Sequence, residues 1–503
     1  MFTLFGLVNR DEGWYLYASR RAFHGDVPYR DFAYFQGPVL PYIYGAPQWL
    51  FGPSLLSGRL VSVLLTLAAV SMLVAVARTL WGARAANWTL GLLCVNPALL
   101  YYCTLTRTEA ATTMLAAAAL LAFFTYPRGL AALLLAPAAL LLASGIRIAY
   151  FPGFLVVTGF LWWRTQASLQ QRLLAAAALL AELSVLAVPV LMARREAVFD
   201  LWSSQVGRSD QFLASPARST LLDWGDHIRA LEVLWVWYLA LAIPTTVVVA
   251  LIVRRYRDGW RPRWPGAESD LMSRQLAIMA FAVLIFAPYV IATPFYVSYF
   301  VPASACLTLV VAGAASETRG TAADGLPGLP HASIVRLAVV VALPFYAARI
   351  QPYLTFDSPG LLVGRGAAQD IAARMSPDDQ LLTFDTTLAV AADRNVMPGL
   401  EMAQFSYWPR MQTASAESNG VFNQAMLFDA IDRGGPRVIA LTERDLNEYI
   451  ALALKQAPAQ VPFVALPLNV LPQLGAHYRV DKIIPNYGQF QDKLYILVCS
   501  TCP

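Results

Sequence analysis

Long apolar stretches alternate with short polar connectors from about residue 54 to residue 350. A helix of about 20 apolar residues is long enough to cross the hydrocarbon of a bilayer. The pattern predicts ten membrane helices, some of which fall below that length and extend into their flanks. Their predicted bounds are 54–78, 85–100, 110–125, 130–145, 148–164, 173–192, 232–253, 275–293, 298–315 and 333–350.

Arginines are unevenly distributed over the predicted loops. They are densest in one set, which includes Arg78, Arg84 and the run from Arg254 to Arg263. Loops rich in arginine and lysine remain on the cytoplasmic side of a membrane. We therefore expect residues 1–53, the loop 193–231 and everything after about residue 352 to face outward.

The pattern changes after Ile350, where short apolar runs typical of buried strands alternate with helical segments. Such alternation predicts a small α/β domain. The predicted strands are 380–384, 437–441 and 494–498, and the predicted helices are 360–375 and 422–433. The fold class is thus a polytopic α-helical membrane protein of about ten transmembrane helices with a small extracytoplasmic α/β domain. Its predicted parts are a first outward loop (1–53), a transmembrane domain (54–350) and the α/β domain (351–503).

Composition supports a membrane location. The 503 residues are 57% hydrophobic and 14% charged, whereas a soluble domain is about a quarter charged. The net charge of +5 comes from arginines placed between apolar runs, so it indicates membrane topology and no nucleic-acid partner. The predicted location is the bacterial inner (plasma) membrane.

The segment from Met1 to Val8 is apolar but would span only about 12 Å as a helix, too short to cross a bilayer. It also lacks the basic start and cleavage site of a signal peptide. We interpret it as a truncated start that lacks one further transmembrane helix.

An acidic pair, Asp11-Glu12, opens the first outward loop. It precedes a segment in which Trp14, Tyr15 and Tyr17 are interleaved with basic residues. This pattern predicts a short amphipathic helix lying in the membrane interface. Such a helix would hold the acidic pair at the level of the lipid headgroups.

The residue types suit sugar transfer from a lipid-linked phosphate. A carboxylate can accept the proton of an acceptor hydroxyl, and Asp11 is the candidate for this role. Guanidinium groups can receive the charge of the leaving phosphate. The candidate arginines are Arg10, Arg30, Arg107 and Arg147. The competing interpretation of Asp11-Glu12 is an ordinary helix cap.

The first loop resembles that of the GT-C glycosyltransferases, close to the protein O-mannosyltransferase and lipid A aminoarabinose transferase type. The matching features are Asp11-Glu12 before an aromatic helix, Tyr29-Arg30-Asp31-Phe32, the turn Gln36-Gly37-Pro38, and Arg59-Leu60. The resemblance implies a polyprenyl-phosphate-linked donor, Asp11 as catalytic base, and inverting transfer at the outer face. It also implies that Tyr29, Gln36 and Arg59 contact substrate. Glu12 is assigned to the catalytic pair as the neighbour that orients the base or contacts a metal ion.

The same resemblance supports the missing helix, because the family pattern places a transmembrane helix directly before the acidic pair. One feature departs from it. Relatives of the aminoarabinose type often carry a lysine where this chain has Gln36-Gly37-Pro38. The aminoarabinose donor is therefore not carried over to this chain.

Three further residues are candidates for the site. Glu109, at an outward helix start, maps onto an acidic residue of the family and is assigned a catalytic role; a carboxylate satisfied by the helix dipole is the alternative. Arg147 lies in a tight helical hairpin and would bind substrate or serve as an interfacial anchor. Tyr299 would contact the lipid carrier or belong to an aromatic belt.

A metal site is considered at Asp223-Trp224-Gly225-Asp226-His227, where Asp226 and His227 are the candidate ligands of a divalent ion. The competing interpretation is a helix-capping loop with a surface histidine. No other cofactor is expected.

The sequence therefore predicts a hexosyl- or pentosyltransferase that acts on a lipid, glycan or protein acceptor in the bilayer. Two alternatives remain. A transporter or flippase of lipid-linked sugars would have charges along a path through the membrane. A non-catalytic sugar-binding subunit would recognise its ligand through the C-terminal domain.

Overall fold

In a computed structural model, the chain is described over residues 2–126, 128–204, 224–262, 271–291, 296–316, 360–446 and 477–501, with isolated positions between 332 and 354. Fourteen α-helices precede residue 317 within these ranges. They are α1 (Phe2–Phe5), α2 (Arg10–Phe23), α3 (Leu40–Phe51), α4 (Leu55–Trp81), α5 (Ala83–Val95), α6 (Pro97–Tyr102), α7 (Thr108–Thr125), α8 (Gly129–Ser144), α9 (Phe151–Arg164), α10 (Leu169–Met192), α11 (Arg194–Val198), α12 (Trp224–Arg257), α13 (Leu271–Phe286) and α14 (Val301–Ser316).

Five helical segments in the described ranges are long and apolar enough to cross a membrane. They are Leu55–Trp81, Thr108–Thr125, Leu169–Met192, Leu271–Val290 and Val297–Ser316. The predicted count of ten is not confirmed. The predicted span 85–100 is divided because the Asn96 side chain caps α6, whose first residue, Pro97, cannot donate a helical hydrogen bond. The predicted span 333–350 falls mostly outside the described residues.

The chain forms two compact units that do not follow its linear order. Unit 1 comprises Met1–Val61, Val188–Ser219 and Leu354–Pro503, and unit 2 comprises Ser62–Ala187 and Thr220–Tyr353. The first loop and the C-terminal region, predicted as separate parts, therefore belong to one unit. In unit 2, α14 packs against α5, α7, α12 and α13.

The C-terminal part of unit 1 contains a five-stranded sheet, in the region where the sequence predicts a small α/β domain with three strands. Its helices are α15 (Gly360–Ala372), α16 (Thr386–Ala392), α17 (Thr413–Ser418) and α18 (Gln424–Asp432), and its strands are β1 (Gln380–Thr383), β2 (Asn395–Val396), β3 (Val438–Thr442), β4 (Tyr478–Tyr487) and β5 (Asp492–Cys499). The spatial order is β2-β1-β3-β5-β4, with β1 parallel to β2 and β3, and β5 antiparallel to β3 and β4. All five residues of β3 are buried, as expected for a strand covered on both faces.

Helix α2 does not have the exposed face expected of an interfacial helix. It packs against α3 and α16, and Trp14 and Tyr17 are only 3% and 1% exposed. Its basic side is also covered, since Arg20 pairs with Asp393 at 3.1 Å. The prediction was wrong because the partners of the basic residues are protein carboxylates far away in the sequence rather than lipid phosphates.

An ion pair between Glu12 and Arg59 holds the start of α2 to the start of α4. Both side chains are completely buried. Arg59 Nε donates to Glu12 Oε2 at 2.8 Å and Nη2 donates to Oε1 at 2.6 Å. The remaining donor capacity of Arg59 is used on the backbone carbonyls of Thr3, Gly6 and Leu7.

A glycine allows α16 to approach α2 closely. A Cβ atom at Gly13 would lie 2.2 Å from the backbone nitrogen of Thr387 and 2.8 Å from the carbonyl carbon of Thr386. Both neighbours are backbone atoms, which cannot rotate away as a side chain can. The contact therefore requires glycine at this position of α2.

We predict that Glu12→Gln lowers the free energy of unfolding by about 3–5 kcal/mol, because it leaves the buried charge of Arg59 without its counterion. The matched control is Arg433→Gln, which breaks an ion pair whose side chains are 75% and 52% exposed and should cost less than about 1 kcal/mol. Chemical unfolding of the detergent-solubilised protein measures both. Equal losses in the two variants would contradict the structural role of the buried pair.

We predict that Gly13→Ala lowers the free energy of unfolding by about 1–3 kcal/mol, because α16 must shift to admit the methyl group. Alanine is otherwise the better helix former by about 1 kcal/mol. Gly91→Ala in α5 is the control, since no atom of the described residues outside its own helix backbone lies within 4 Å of the added Cβ. The same unfolding measurement should show no loss for Gly91→Ala, and the argument fails if Gly13→Ala is equally harmless.

Candidate active site

The start of α2 is a capping box built on Asn9 and Glu12. The Asn9 side chain accepts from the Asp11 backbone N–H at 3.0 Å, and Glu12 Oε1 accepts from the Asn9 N–H at 3.0 Å. Two N–H groups that would otherwise lack partners at a helix start are satisfied in this way. The helix therefore begins at a defined residue, and Asp11 lies in its first turn.

The structure separates the two members of the acidic pair. Glu12 is fully buried and both of its carboxylate oxygens are bound to Arg59. Asp11 is partly exposed, and its Oδ1 accepts from the indole N–H of Trp14 at 3.4 Å. Of the two residues, Asp11 is the one with solvent-exposed surface.

Arg59 and Arg10, both predicted to bind substrate, are engaged within the protein. Arg59 is 0% exposed and bound to Glu12 and three carbonyls. Arg10 is 6% exposed and its guanidinium pairs with Asp445, beyond the end of β3. These contacts hold the start of α2 in place, and the substrate contacts expected of both arginines stay a prediction.

The loop after α2 contains the other predicted residues of unit 1. Tyr29 is buried, which raises the pKa of its hydroxyl well above the ordinary value, and this hydroxyl donates to the Gln36 carbonyl at 2.6 Å. Its φ of 71° is rare for a bulky residue. Arg30 is exposed and binds its neighbour Asp31 through two hydrogen bonds of 2.9 and 2.7 Å. Tyr29 and Gln36 thus shape the loop, and Arg30 lies at its surface.

The loop is also tied to the segment that follows α10. Asp200, in a π-helical turn over Phe199–Ser203, accepts from the Tyr34 backbone N–H at 2.8 Å. Burial raises the pKa of Asp200 well above its usual range. The aromatic rings of Phe35 and Phe199 pack edge to face at 6.2 Å, and Trp408 covers Phe199. The conformation of the loop is therefore fixed in part by its contacts with Phe199 and Asp200, and Trp408 packs against the same segment.

Unit 2 contains a separate cluster of charged residues. Glu109, in the first turn of α7, is 1% exposed and receives Arg107 at 3.3 Å and Arg147 at 3.2 Å. Arg107 also donates to the hydroxyl of Ser298 at 3.5 Å. Two guanidinium groups sharing one carboxylate give this cluster a formal charge of +1, which favours an anion.

Two tyrosines form the aromatic side of this cluster. Tyr289 and Tyr299 stack with centroids 4.7 Å apart, and the Arg147 guanidinium carbon lies 5.8 and 5.1 Å from the two centroids. Such cation–π contacts hold a planar guanidinium in one orientation. The sequence prediction included Tyr299 but missed Tyr289 and Ser298. The signal was available for Ser298, which lies one residue before Tyr299 in the same short segment, predicted from the sequence to face outward.

The candidate metal ligands cannot be assessed from their side chains. Asp226 and His227 belong to the first turn of α12, and their side chains are outside the described part of the chain. Among the described residues, no group of three or more His, Cys, Asp or Glu side chains is arranged to hold a metal ion.

No protein-family model matches the sequence, and no curated protein matches it significantly. Solved structures do resemble it. The crystal structure of ArnT from Cupriavidus metallidurans bound to undecaprenyl phosphate matches with a TM-score of 0.58 and 16% identity, covering 99% of this chain and 95% of that one. The apo form of the same protein gives a TM-score of 0.55 and 16% identity over 98% and 94% of the two chains.

The apo oligosaccharyltransferase of Archaeoglobus fulgidus is more distant, with a TM-score of 0.46 and 12% identity over 91% of this chain and 68% of that one. Only the two ArnT structures have TM-scores above 0.5 among those named here. The likeness to ArnT extends over almost the whole of both chains and confirms the resemblance first noticed in the loop around Asp11. This chain has the GT-C fold of ArnT.

Proposed function

We propose that this protein is an integral-membrane glycosyltransferase that moves a sugar from a polyprenyl-phosphate-linked donor to a lipid, glycan or protein acceptor. The observation that supports this most directly is the division of the acidic pair. Glu12 is buried against Arg59, and the neighbouring Asp11 is partly exposed on a helix start that cannot move without breaking that pair. A rigidly held, accessible carboxylate is what a general base requires.

In the proposed reaction, an acceptor hydroxyl oxygen attacks the anomeric carbon of the donor sugar. The bond between that carbon and the phosphate oxygen breaks, and the electron pair leaves with the polyprenyl phosphate. Asp11 takes the proton of the acceptor hydroxyl. Attack from the face opposite the leaving group inverts the configuration at the anomeric carbon, which is the outcome implied by the resemblance to the family.

We assign the recognition of the phosphate to Arg107 and Arg147. A fork of guanidinium N–H groups matches two phosphate oxygens, and the leaving group gains negative charge as the bond breaks. Glu109 binds both arginines at 3.2–3.3 Å. We therefore propose that Glu109 orients the two arginines, a more limited role than the catalytic one expected from the sequence.

The reaction is proposed for the outer face of a bacterial inner membrane. The arginine distribution supports this orientation. Cys499, in the last strand of the sheet, is disulfide-bonded, which is the state expected in an oxidising compartment. The fold supports the proposal as well, since the ArnT structure that it resembles is described as bound to undecaprenyl phosphate.

We expect Asp11→Asn to reduce sugar transfer by a factor of about 10²–10⁴ while donor binding is retained, because only the proton acceptor is lost. The assay uses reconstituted protein, a panel of polyprenyl-phosphate sugars and membrane extract as the source of acceptors. Asp432→Asn, an exposed carboxylate at the end of α18, is the control. Unchanged transfer by Asp11→Asn would refute the proposed base, and an effect only on movement of the lipid between leaflets would favour a transporter.

We expect Arg147→Gln to weaken binding of undecaprenyl phosphate by about tenfold or more, since a charged hydrogen bond contributes about 1.5–3 kcal/mol. Arg164→Gln, an exposed arginine at the other end of α9, should leave the affinity unchanged. Binding to the protein in nanodiscs is measured with both variants. If Arg147→Gln binds the lipid phosphate as tightly as the wild type, the cluster in unit 2 is not the phosphate site.

A further inference from the structure

Three aspartates lie at one edge of the C-terminal sheet, the edge at which β1 and β3 end. Because β1 and β3 are parallel, their carboxyl ends meet at the same edge, and antiparallel β5 begins there, with Thr442 paired to Leu494. Asp385 follows β1, Asp445 follows β3, and Asp492 is the first residue of β5. In open α/β sheets, the edge at the carboxyl ends of the strands is where ligands commonly bind.

In this protein, the edge receives a residue of α2. The guanidinium of Arg10 pairs with Asp445, and the two side chains are 7% and 0% exposed. The positive charge of Arg10 also opposes the burial that raises the pKa of Asp385 and of Asp492. The side chain of Arg10 thus lies at the acidic edge of the sheet, where a bound cation would lie in a protein that used this edge as a ligand site.

The aspartate that receives Arg10 is itself held firmly. Asp445 Oδ2 accepts from the backbone N–H of Thr442 at 2.9 Å and from its hydroxyl at 2.8 Å, which completes a capping box directly after β3. Asp445 Oδ1 is the atom that meets Arg10. The position of Arg10 is therefore set by the sheet through a side chain with little freedom to move.

A neighbouring aspartate supports α16, which covers the next turn of α2. Asp385 caps α16 by accepting from the Thr387 N–H at 3.0 Å, and it also accepts from the Tyr487 hydroxyl at 2.8 Å. The backbone of Thr387 comes this close to α2 because Gly13 has no side chain. Asp11 lies between these two attachments, Arg10 on one side and Gly13 on the other.

We infer that the acidic edge of the C-terminal sheet is a positioning device for the base of the proposed transfer reaction, and that Asp445 acts on Asp11 through Arg10. The inference rests on the proposed function. It gives the C-terminal domain a role in positioning the base, in addition to any role in binding an acceptor. Asp445 is a positioning residue, since it acts through another side chain.

The charges around the first turn of α2 make the inference testable by pH. They are Arg10, the Glu12–Arg59 pair, and on the sheet edge Asp385, Asp445 and Asp492 with Arg444. Removing the charge of Asp445 takes away one of the negative charges that balance Arg10, the neighbour of Asp11 in the sequence, and this favours the ionised form of Asp11. Removing the charge of Arg10 takes away a positive charge next to Asp11 and disfavours that form.

The experiment compares kcat, KM for the polyprenyl-phosphate sugar and the pH dependence of kcat in three variants. Asp445→Asn should lower kcat about 10–100-fold with KM changed less than about threefold, and should move the acidic limb of the kcat profile to lower pH. Arg10→Gln should move that limb to higher pH. The double variant Arg10→Gln with Asp445→Asn should return the limb close to its wild-type position.

Asp378→Asn is the control, because Asp378 is exposed and precedes β1 at the opposite edge of the same sheet. Unfolding midpoints identify variants that simply lose their fold, and Asp445→Glu should recover part of kcat. Opposite shifts of the acidic limb support the inference, whereas a limb that stays in place in both single variants overturns it. If that result occurs while Asp11→Asn abolishes transfer, the proposed function stands and only the positioning role is wrong. If the wild type transfers no sugar, both fail.

Discussion

The pairing of Glu12 with Arg59 is the constraint on which the arrangement of the first loop depends. Two charges that are completely removed from solvent are tolerated only when nearly every donor and acceptor finds a partner. Here, the carboxylate also closes a capping box and the guanidinium also binds three carbonyls of the preceding segment. A shift of α2 would leave a buried charge unpaired. The backbone of Asp11 is held in place as well, because Asp11 precedes Glu12 in the first turn of the same helix.

The basic residues of α2 explain why the C-terminal sheet and the first loop form one unit. Arg10 meets Asp445, Arg20 meets Asp393 and the backbone carbonyl of Arg394, and Arg21 meets Glu401. Each carboxylate comes from the C-terminal region, more than 370 residues further along the chain. A domain that merely recognised an acceptor would not need to contact one helix at both its start and its last turn. These contacts fit a domain that stabilises the position of α2.

The sequence predicted the positions of strands and helices better than the contacts that these elements make. Apolar periodicity is a local property, so the strands near 380–384, 437–441 and 494–498 and the helix near 360–375 were placed to within a few residues. The role of α2 is not local. Aromatic residues interleaved with arginines look the same whether the arginines face lipid phosphates or carboxylates of the protein itself. Only distant residues such as Asp393 and Asp445 distinguish the two cases.

The same limit applies to the site residues. Asp11 and Glu12 are adjacent, and residue type alone cannot say which of them is buried. The answer depends on which helix face meets α4, where Arg59 lies 47 positions away. The cluster of Arg107, Glu109 and Arg147 was predicted as separate residues, since no pattern in the sequence indicates that Arg107 and Arg147 share one carboxylate.

The two buried clusters, one around Glu12 and one around Glu109, differ in the number of arginines per carboxylate. Glu12 and Arg59 are matched one to one and have further partners in the backbone, so their charges cancel and an added ion would gain little. Glu109 is shared by two arginines, and a formal charge of +1 remains among helices that are largely apolar. An excess of one positive charge, counted over the described residues, is costly in such surroundings, and the cost falls when an anion such as a lipid phosphate binds. The stacked pair Tyr289–Tyr299 lowers this cost in the absence of a ligand through its contacts with Arg147, without neutralising the charge that an anion would recognise. The balanced pair therefore suits a structural role, and the unbalanced cluster suits binding.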